Sequence, residues 1–394
     1  MQHHIMSKNF SVVFFSVLFQ KNGRDCLEHL SKVIFTADTE VSFFIITFAA
    51  RKEQPHMSIR IGINGLGRIG KLVLRHSFKY PEIEVVAVND LMDIETMIHL
   101  LKYDTVHGKI NKPVRRSGAS SVFVNGNSFE VYAHKTPDNI PWEKHHLDYI
   151  IESSGMFTTR ESLQGHLRNG IKKVILSCPA TNKLDKNIVI GVNDNSLTAQ
   201  DRIISNTSCT TNCIAPVLHI LNERFGIDKA FMNTVHPYTN NQRIIDAPHS
   251  DLRRARAAAA NLIPTTTSAI KAVEDVIPYL KGRFDGFATR VPLVDGSLVE
   301  LTALLNADVS VETLNNTIAS AADGQLSGIL EYTEDPIVSS DIINNPHSGI
   351  FDALSTKVLG KRFVQLIVWY DNEYAYSKRI VELIVKAAAI DSVS

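Results

Sequence analysis

Cys209, in the run Ser205-Asn206-Thr207-Ser208-Cys209-Thr210-Thr211-Asn212-Cys213, carries the clearest chemical potential in this chain. Ile203-Ile204 read as a strand running into it. Ile214, Val217, Leu218 and Leu221 follow at helical spacing, so a helix leaves it. A thiol at a helix N-terminus meets unpaired N–H groups and the positive end of the dipole, which favour the thiolate. A lone cysteine is more often a buried, inert one. The flanking Ser and Thr hydroxyls argue instead for an anion or oxyanion site. His236, delivered by a strand at 230–235, is the natural partner: it would depress the thiol pKa and act as general base. Spacing alone does not single it out among 15 histidines.

Two arginine features extend this chemistry. Arg290, flanked by Thr289 and Val291, reads as partly buried, and a buried guanidinium needs an anion. Arg253, Arg254 and Arg256 alone suit a solvated face or an RNA patch; followed by Pro264-Thr265-Thr266-Thr267-Ser268 they suit an anion-binding surface. The strands 287–291, 298–305 and 363–369 alternate with helical stretches at 268–277 and 311–322, a pattern for a sheet with helices on one face. Pro216 predicts a kink in the helix after Cys209.

The first half has a different signature. Ile59, Ile61 and Ile63 alternate as in a strand; Gly65-Leu66-Gly67-Arg68-Ile69-Gly70 follows, then a helix closed by Pro81, then the strand 85–88 ending in Asn89-Asp90. In a dinucleotide site two glycines give the turn and close approach to the pyrophosphate. The third lets helix and strand pack, and the acid accepts from ribose hydroxyls. Asp90 favours NAD, because a 2′-phosphate would meet like charge. Apolar runs at 149–151, 174–176 and 188–192 suit further strands of a mostly parallel sheet.

The whole chain sets bounds on these readings. Its 394 residues suffice for two domains with sizeable cores. Lys+Arg and Asp+Glu are both 41, so no global basic field points to nucleic acid. Four cysteines (26, 178, 209, 213) are too few for a disulfide framework, and Cys209 and Cys213, one helical turn apart, read as reduced. No CxxC pair or HExxH motif suggests a metal site. The apolar run 11–19 is too short to span a bilayer, and charged residues follow where a cleavage site would be needed. Residues 1–56 are expected to lie outside the core, disordered or upstream of a natural start at Met57, with a targeting segment as the alternative.

With these residues assembled, the stretch 57–390 resembles phosphorylating glyceraldehyde-3-phosphate dehydrogenases of the bacterial type. The motifs are INGLGRIG at 63–70, SCTTNC at 208–213, HxYT at 236–239, DLRRARA at 251–257 and WYDNE at 369–373. The resemblance implies an α/β fold: a Rossmann-type, mostly parallel NAD-binding domain (57–207), an α+β catalytic domain with a mainly antiparallel sheet (208–371), and a last helix (372–394) returning to the first domain. It implies a glycolytic, cytoplasmic homotetramer that binds NAD, with no membrane or specific nucleic-acid partner. Cys209 would form a thiohemiacetal with glyceraldehyde 3-phosphate, His236 would take its proton, and inorganic phosphate would cleave the resulting thioester. Thr239 and Arg290 would hold the substrate phosphate. Ser208, Thr210, Thr267 and Ser268, supported by Arg254, would hold inorganic phosphate. Gly65, Gly67, Arg68, Ile69, Gly70, Asp90, Ser153, Ser177, Asn372 and Tyr376 would contact the cofactor.

Three departures stand out: Ser268 and Ala375 where the family usually carries Gly, and Ala247-Pro248, which mixes features of its NAD-preferring and dual-cofactor branches. The rival reading is erythrose-4-phosphate dehydrogenase, which shares the Cys/His pair but releases a free acid; the stretches 345–348 and 182–185 have some of its character. A non-catalytic binding role is the third.

Overall fold

The computed structural model describes residues 58–168 and 170–393, together with the backbone of four short upstream strands. Of those, Val12–Ser16 pairs antiparallel with Leu30–Ile34, and Phe19–Lys21 with Arg24–Cys26. The expectation that 1–56 stay outside the core falls mostly on residues outside the described ones.

From Ser58 onward two sheets organise the chain. The first has nine strands. At its centre Ile59–Asn64 lies between Ile83–Asn89 and Tyr149–Glu152, in parallel with both; Lys173–Leu176, Ile203–Ser205 and Lys186–Asn187 continue the parallel run on one side. Asn127–Tyr132 joins Ile83–Asn89 in parallel on the other, and Ser121–Val124 and Val114–Arg116 add an antiparallel edge. Tyr149–Glu152 and Lys173–Leu176 are buried at every position, as parallel strands covered on both faces must be. The sequence run 188–192 is not a strand. The chain leaves the sheet after Asn187 and turns through Gly191 at φ +83°, while Val189 N–H donates to Asn193 Oδ1 instead of to a ladder.

The second sheet has seven strands, in the order Ile263–Thr265, Phe284–Val291, Ile227–Pro237, Ser297–Leu305, Phe363–Tyr370, Gly349–Leu359, Leu330–Thr333. Four of its pairings are antiparallel; the Ile227–Pro237 pairing with Phe284–Val291 and the outermost pair are parallel. Alternate residues Val299, Leu301, Ala303 and Leu305 point into a core shared with the helices Cys209–Phe225, Ala269–Val276 and Val311–Asp323. The helix after Cys209 runs through Pro216 as one element.

The last helix, Tyr374–Asp391, buries Tyr376, Ile380, Val381, Leu383 and Ile384 in the core of the first sheet. Polar contacts fix it there. Asp391 accepts from the buried Lys173 Nζ (2.7 Å) and from Tyr149 Oη (2.7 Å). The segment before it, 370–373, is thereby strung between the two sheets.

Candidate active site

Four candidate cofactor contacts in the first half lie at the carboxyl ends of parallel strands, Gly65 after Asn64, Asp90 after Asn89, Ser153 after Glu152 and Ser177 after Leu176, and Gly67, Arg68, Ile69 and Gly70 follow Gly65 into the first turn of a helix. In an open α/β sheet this is the ligand edge. Gly65 sits at φ +91°, and a Cβ there would overlap the Ser154 backbone; one on Gly70 would fall on the Gly65 carbonyl. A Cβ on Gly67 would meet nothing, so the turn is open on that side. The helix Arg68–Ser77 begins there, and its first internal bond runs from Lys71 N–H to Gly67 (3.1 Å), leaving the Arg68 and Ile69 amides ahead of the ladder. A pyrophosphate fits this cradle.

Side chains refine the picture. The Arg68 guanidinium does not face the cleft. It forks onto Glu373 and reaches Asp104 (2.6 Å), so only its backbone remains for the cofactor. Asp90 accepts from the Leu66 amide (2.7 Å) and the Met92 amide (2.9 Å), which pins the carboxylate against the glycine turn. Ser153 Oγ donates to the Gly65 carbonyl (2.6 Å), and the Ser177 amide bonds the Glu152 carbonyl. Asn372 Oδ1 accepts from Ser297 Oγ (2.7 Å). Tyr376 is buried and its hydroxyl donates to the Thr207 carbonyl (2.9 Å), bracing the segment before Cys209.

That segment is strained. Thr207 has φ +58°, a conformation that costs a β-branched residue about 1–3 kcal/mol. Asn212 holds it by donating to the Asn206 carbonyl (2.8 Å) and the Ser208 carbonyl (3.0 Å). The turn sets Cys209 as the first residue of the helix Cys209–Phe225, with Ser208 as N-cap accepting from the Thr211 amide (3.0 Å). Its neighbour on the second sheet is His236: Nε2 lies 3.5 Å from Cys209 Sγ.

Arg290 completes the centre. It stands opposite His236 in the strand register, and its Nη1 lies 2.5 Å from His236 Nδ1 and 2.9 Å from the Pro237 carbonyl. Its Nε is buried without a partner, and no carboxylate among the described residues pairs with it. A guanidinium so placed is a standing anion site. Behind the pair, Tyr370 Oη bridges Thr210 Oγ1 and Thr234 Oγ1, both at 2.8 Å.

The electrostatics correct one expectation. Burial pushes the Cys209 thiol up to about 11, against the pull of the Arg290 charge and the Thr210 donors. Burial, with the Arg290 charge beside it, pushes the His236 imidazole down to about 3. Burial thus opposes charge on both members of the pair. The helix terminus and His236 do not by themselves outweigh the desolvation of a closed site.

Two family models match the chain: the glyceraldehyde 3-phosphate dehydrogenase NAD binding domain over residues 59–160, and the C-terminal domain of the same enzyme over 208–372. The chain is 50% identical over 328 residues to glyceraldehyde-3-phosphate dehydrogenase of Geobacillus stearothermophilus, covering 83% of this chain and 97% of the relative. It is 49% identical over 334 residues to that of Priestia megaterium, covering 84% and 99%, and 49% identical over 336 residues to that of Borreliella burgdorferi, covering 83% and 99%. The chain belongs to the glyceraldehyde-3-phosphate dehydrogenase family.

In this member of the glyceraldehyde-3-phosphate dehydrogenase family the anion-site candidates divide into two groups. Ser268 lines, with Thr207, a cleft of about 620 Å³ that Lys271 and Asn187 also face. Arg254 donates to Thr265 Oγ1 (2.9 Å) and to the Thr266 carbonyl (3.0 Å), and thus holds the strand leading to Thr267, whose Oγ1 accepts from the Ala269 amide (3.2 Å). Thr239 bonds Gln242 Oε1 through its amide (3.3 Å). By contrast, the Ser208 hydroxyl is taken up in capping and the Thr210 hydroxyl in the bond to Tyr370. What these two positions offer an anion freely is the backbone of the helix's first turn.

Sequence reasoning missed Tyr370 and Thr234 as supports. It also missed the buried Glu152, whose carboxylate accepts from the Ser154 amide (2.8 Å), from Asn64 Nδ2 (2.5 Å) and from His166 Nε2 (3.0 Å), and so ties two adjacent strand ends of the cofactor edge to the turn after the helix Arg160–Gln164. The sequence signal available was a Glu closing an otherwise apolar strand.

Proposed function

We propose that this chain oxidises glyceraldehyde 3-phosphate with NAD and inorganic phosphate, giving 1,3-bisphosphoglycerate by way of a thioester on Cys209. The observation that carries this reading is the triangle of Cys209 at a helix start, His236 Nε2 at 3.5 Å, and Arg290 with no anionic partner.

The residues perform distinct steps. The thiol proton of Cys209 passes through His236 Nε2 to the aldehyde oxygen as Sγ bonds the carbonyl carbon, which yields a thiohemiacetal. NAD, held at the glycine turn and Asp90, supplies the two-electron oxidant when bound. His236 Nε2 takes up the hydroxyl proton released in that oxidation, leaving the thioester. Phosphate held by the Thr267–Ser268 segment and the helix's first turn displaces the thiol, and its entropy of approach is lowered by prior binding.

Arg290 adds a gate to this sequence. When its N–H donates to His236 Nδ1, the imidazole proton sits on Nε2 and the ring cannot accept from Cys209. A substrate phosphate draws the guanidinium away. Nδ1–H then donates to the Pro237 carbonyl (2.8 Å), which leaves Nε2 as the base. The dehydrogenase is thus assembled by its own substrate.

The cytoplasmic homotetramer belongs to the same reading. No helix among the described residues is long and apolar enough to cross a membrane. Ile244, Ile245, Leu252 and Leu262 are 69–84% exposed on one stretch of chain, which suits cover by another copy.

The test is NADH formation from glyceraldehyde 3-phosphate and from erythrose 4-phosphate, with and without phosphate. Steep dependence on phosphate with the triose is expected. Rapid multiple turnover without phosphate, unchanged by adding it, would move the assignment to the hydrolytic enzyme.

A further inference from the structure

A second cluster of chemical groups lies beside the cofactor cleft and takes no part in the reaction above. Asp295 is buried, its side chain fully shielded, and its Oδ2 accepts from no donor and faces the Asp371 carboxyl group. Its other oxygen accepts only the amide of its own neighbour, Gly296 (2.9 Å). Oδ2 lies 3.7 Å from His107 Nε2. One ligand atom each from His107, Asp295 and Asp371 falls within 4.8 Å of the others.

The surrounding charges leave Asp295 uncompensated. Arg68 is shared between Glu373 and Asp104, and Lys71 also leans on Asp104 at 3.5 Å. His107 Nε2 faces Glu373 at 2.9 Å. Arg75 also acts on Asp104, so Arg68, Lys71 and Arg75 serve Asp104 and Glu373, and the cation that faces Asp295 is His107. An uncompensated buried carboxylate is costly, and it is relieved by a proton or by a metal ion.

We propose that His107, Asp295 and Asp371 form a binding site for one divalent first-row cation of the Mn²⁺ type. One imidazole and two carboxylates are a donor set for such ions. The second ring nitrogen is already oriented: His107 Nδ1 lies 2.8 Å from Asn344 Oδ1, which fixes the Nδ1–H tautomer and presents Nε2 as ligand. Asp371 is oriented as well: its Oδ1 accepts from the amides of Glu373 (2.9 Å) and Tyr374 (2.7 Å), and its Oδ2 accepts from the Asn344 amide (2.8 Å) and keeps a lone pair for a ligand. Glu373 keeps the Arg68 fork when His107 turns to the metal. His107 belongs to the cofactor half, and Asp295 and Asp371 to the catalytic half, with Asn372 next in sequence. The ion therefore links the two halves beside Asn372. No sequence motif could announce it, because its ligands are separated by 188 and 76 residues.

The experiment uses the full chain freed of metal with a chelator and titrated with Mn²⁺. Free Mn²⁺ is read by its paramagnetic resonance signal and stability by thermal melting. One ion should be taken up per chain, and the melting temperature should rise by about 5 °C at about a hundredfold excess over Kd. Asp295→Asn should abolish both effects while folding at least as well without metal, since it removes the uncompensated charge. His107→Gln is the second variant and should weaken uptake at least about tenfold. Cys209→Ser should bind Mn²⁺ as the parent does, separating this site from the active centre. Absence of uptake up to millimolar Mn²⁺, or equal uptake by Asp295→Asn, would overturn the proposal and leave a proton as the group that neutralises Asp295.

Discussion

The two halves build their sites from different material. At the cofactor edge the working surface is backbone: a glycine turn, the first amides of a helix, and loop amides, all at the ends of adjacent parallel strands. In the catalytic half it is side chains: a thiol from a helix start, an imidazole and a guanidinium from two paired strands, with a tyrosine from a fourth element behind them. A backbone site is fixed by local conformation, so it fails when the chain cannot take that conformation. A side-chain site fails one atom at a time, with the fold intact. Substitutions in the two halves should therefore separate stability from rate.

The largest effect is expected at Cys209. Cys209→Ser should lower kcat/KM by at least ~10⁴-fold and leave the melting temperature within a few degrees, because the hydroxyl keeps the shape and loses the nucleophile. A serine enzyme with a tenth of parental activity would sink the thioester route. Arg290→Ala comes next. It should raise KM for the aldehyde and lower kcat/KM by about 10²–10³-fold through the lost charge-assisted bonds. The apparent KM for inorganic phosphate should move less. Thr267→Ala should show the opposite split, and if both variants raised the same KM, the two-anion assignment would fail.

Gly65→Ala probes the other half. Positive φ and overlap with Ser154 should cost about 2–4 kcal/mol of stability, with NAD affinity lost in step. An alanine enzyme with unchanged denaturant midpoint would show that the turn can relax, and the comparison between halves would blur.

The smallest effect sharpens the comparison through pH. His76 is buried under the last helix and its Nε2–H donates to the Tyr374 carbonyl (2.9 Å); burial pushes its pKa down to about 3. The unfolded chain takes a proton near 6.5, which the folded protein refuses, so this group's contribution is intact above pH 6.5 and is lost as pH falls toward 3. His236 has the same sign. His76→Gln should make the loss between pH 6.5 and 5 shallower by about 1 kcal/mol per pH unit in urea unfolding. An unchanged slope would mean that other groups control acid stability.

Much of this protein was determined by sequence alone wherever function rests on neighbours in the chain. The run 59–70 specifies a strand, a turn only glycine can make, and a helix start, because φ at Gly65 and packing at Gly70 are local steric demands. Cys209 at a helix N-terminus was legible for the same reason: Ser208 caps and the apolar residues repeat at helical spacing. Tertiary structure decided the rest. It chose His236 among the histidines by pairing its strand with that of Arg290, and it turned the Arg68 guanidinium away from the cleft toward Glu373, 305 residues on. It withdrew the Thr210 hydroxyl to Tyr370 and replaced the expected strand at 188–192 with a turn. It also set the pull of burial against charge on Cys209 and His236, since desolvation depends on what surrounds a group in space. Local sterics can be read along a chain. Burial and charge compensation depend on residues brought together from afar, and they exist only once the two sheets have folded.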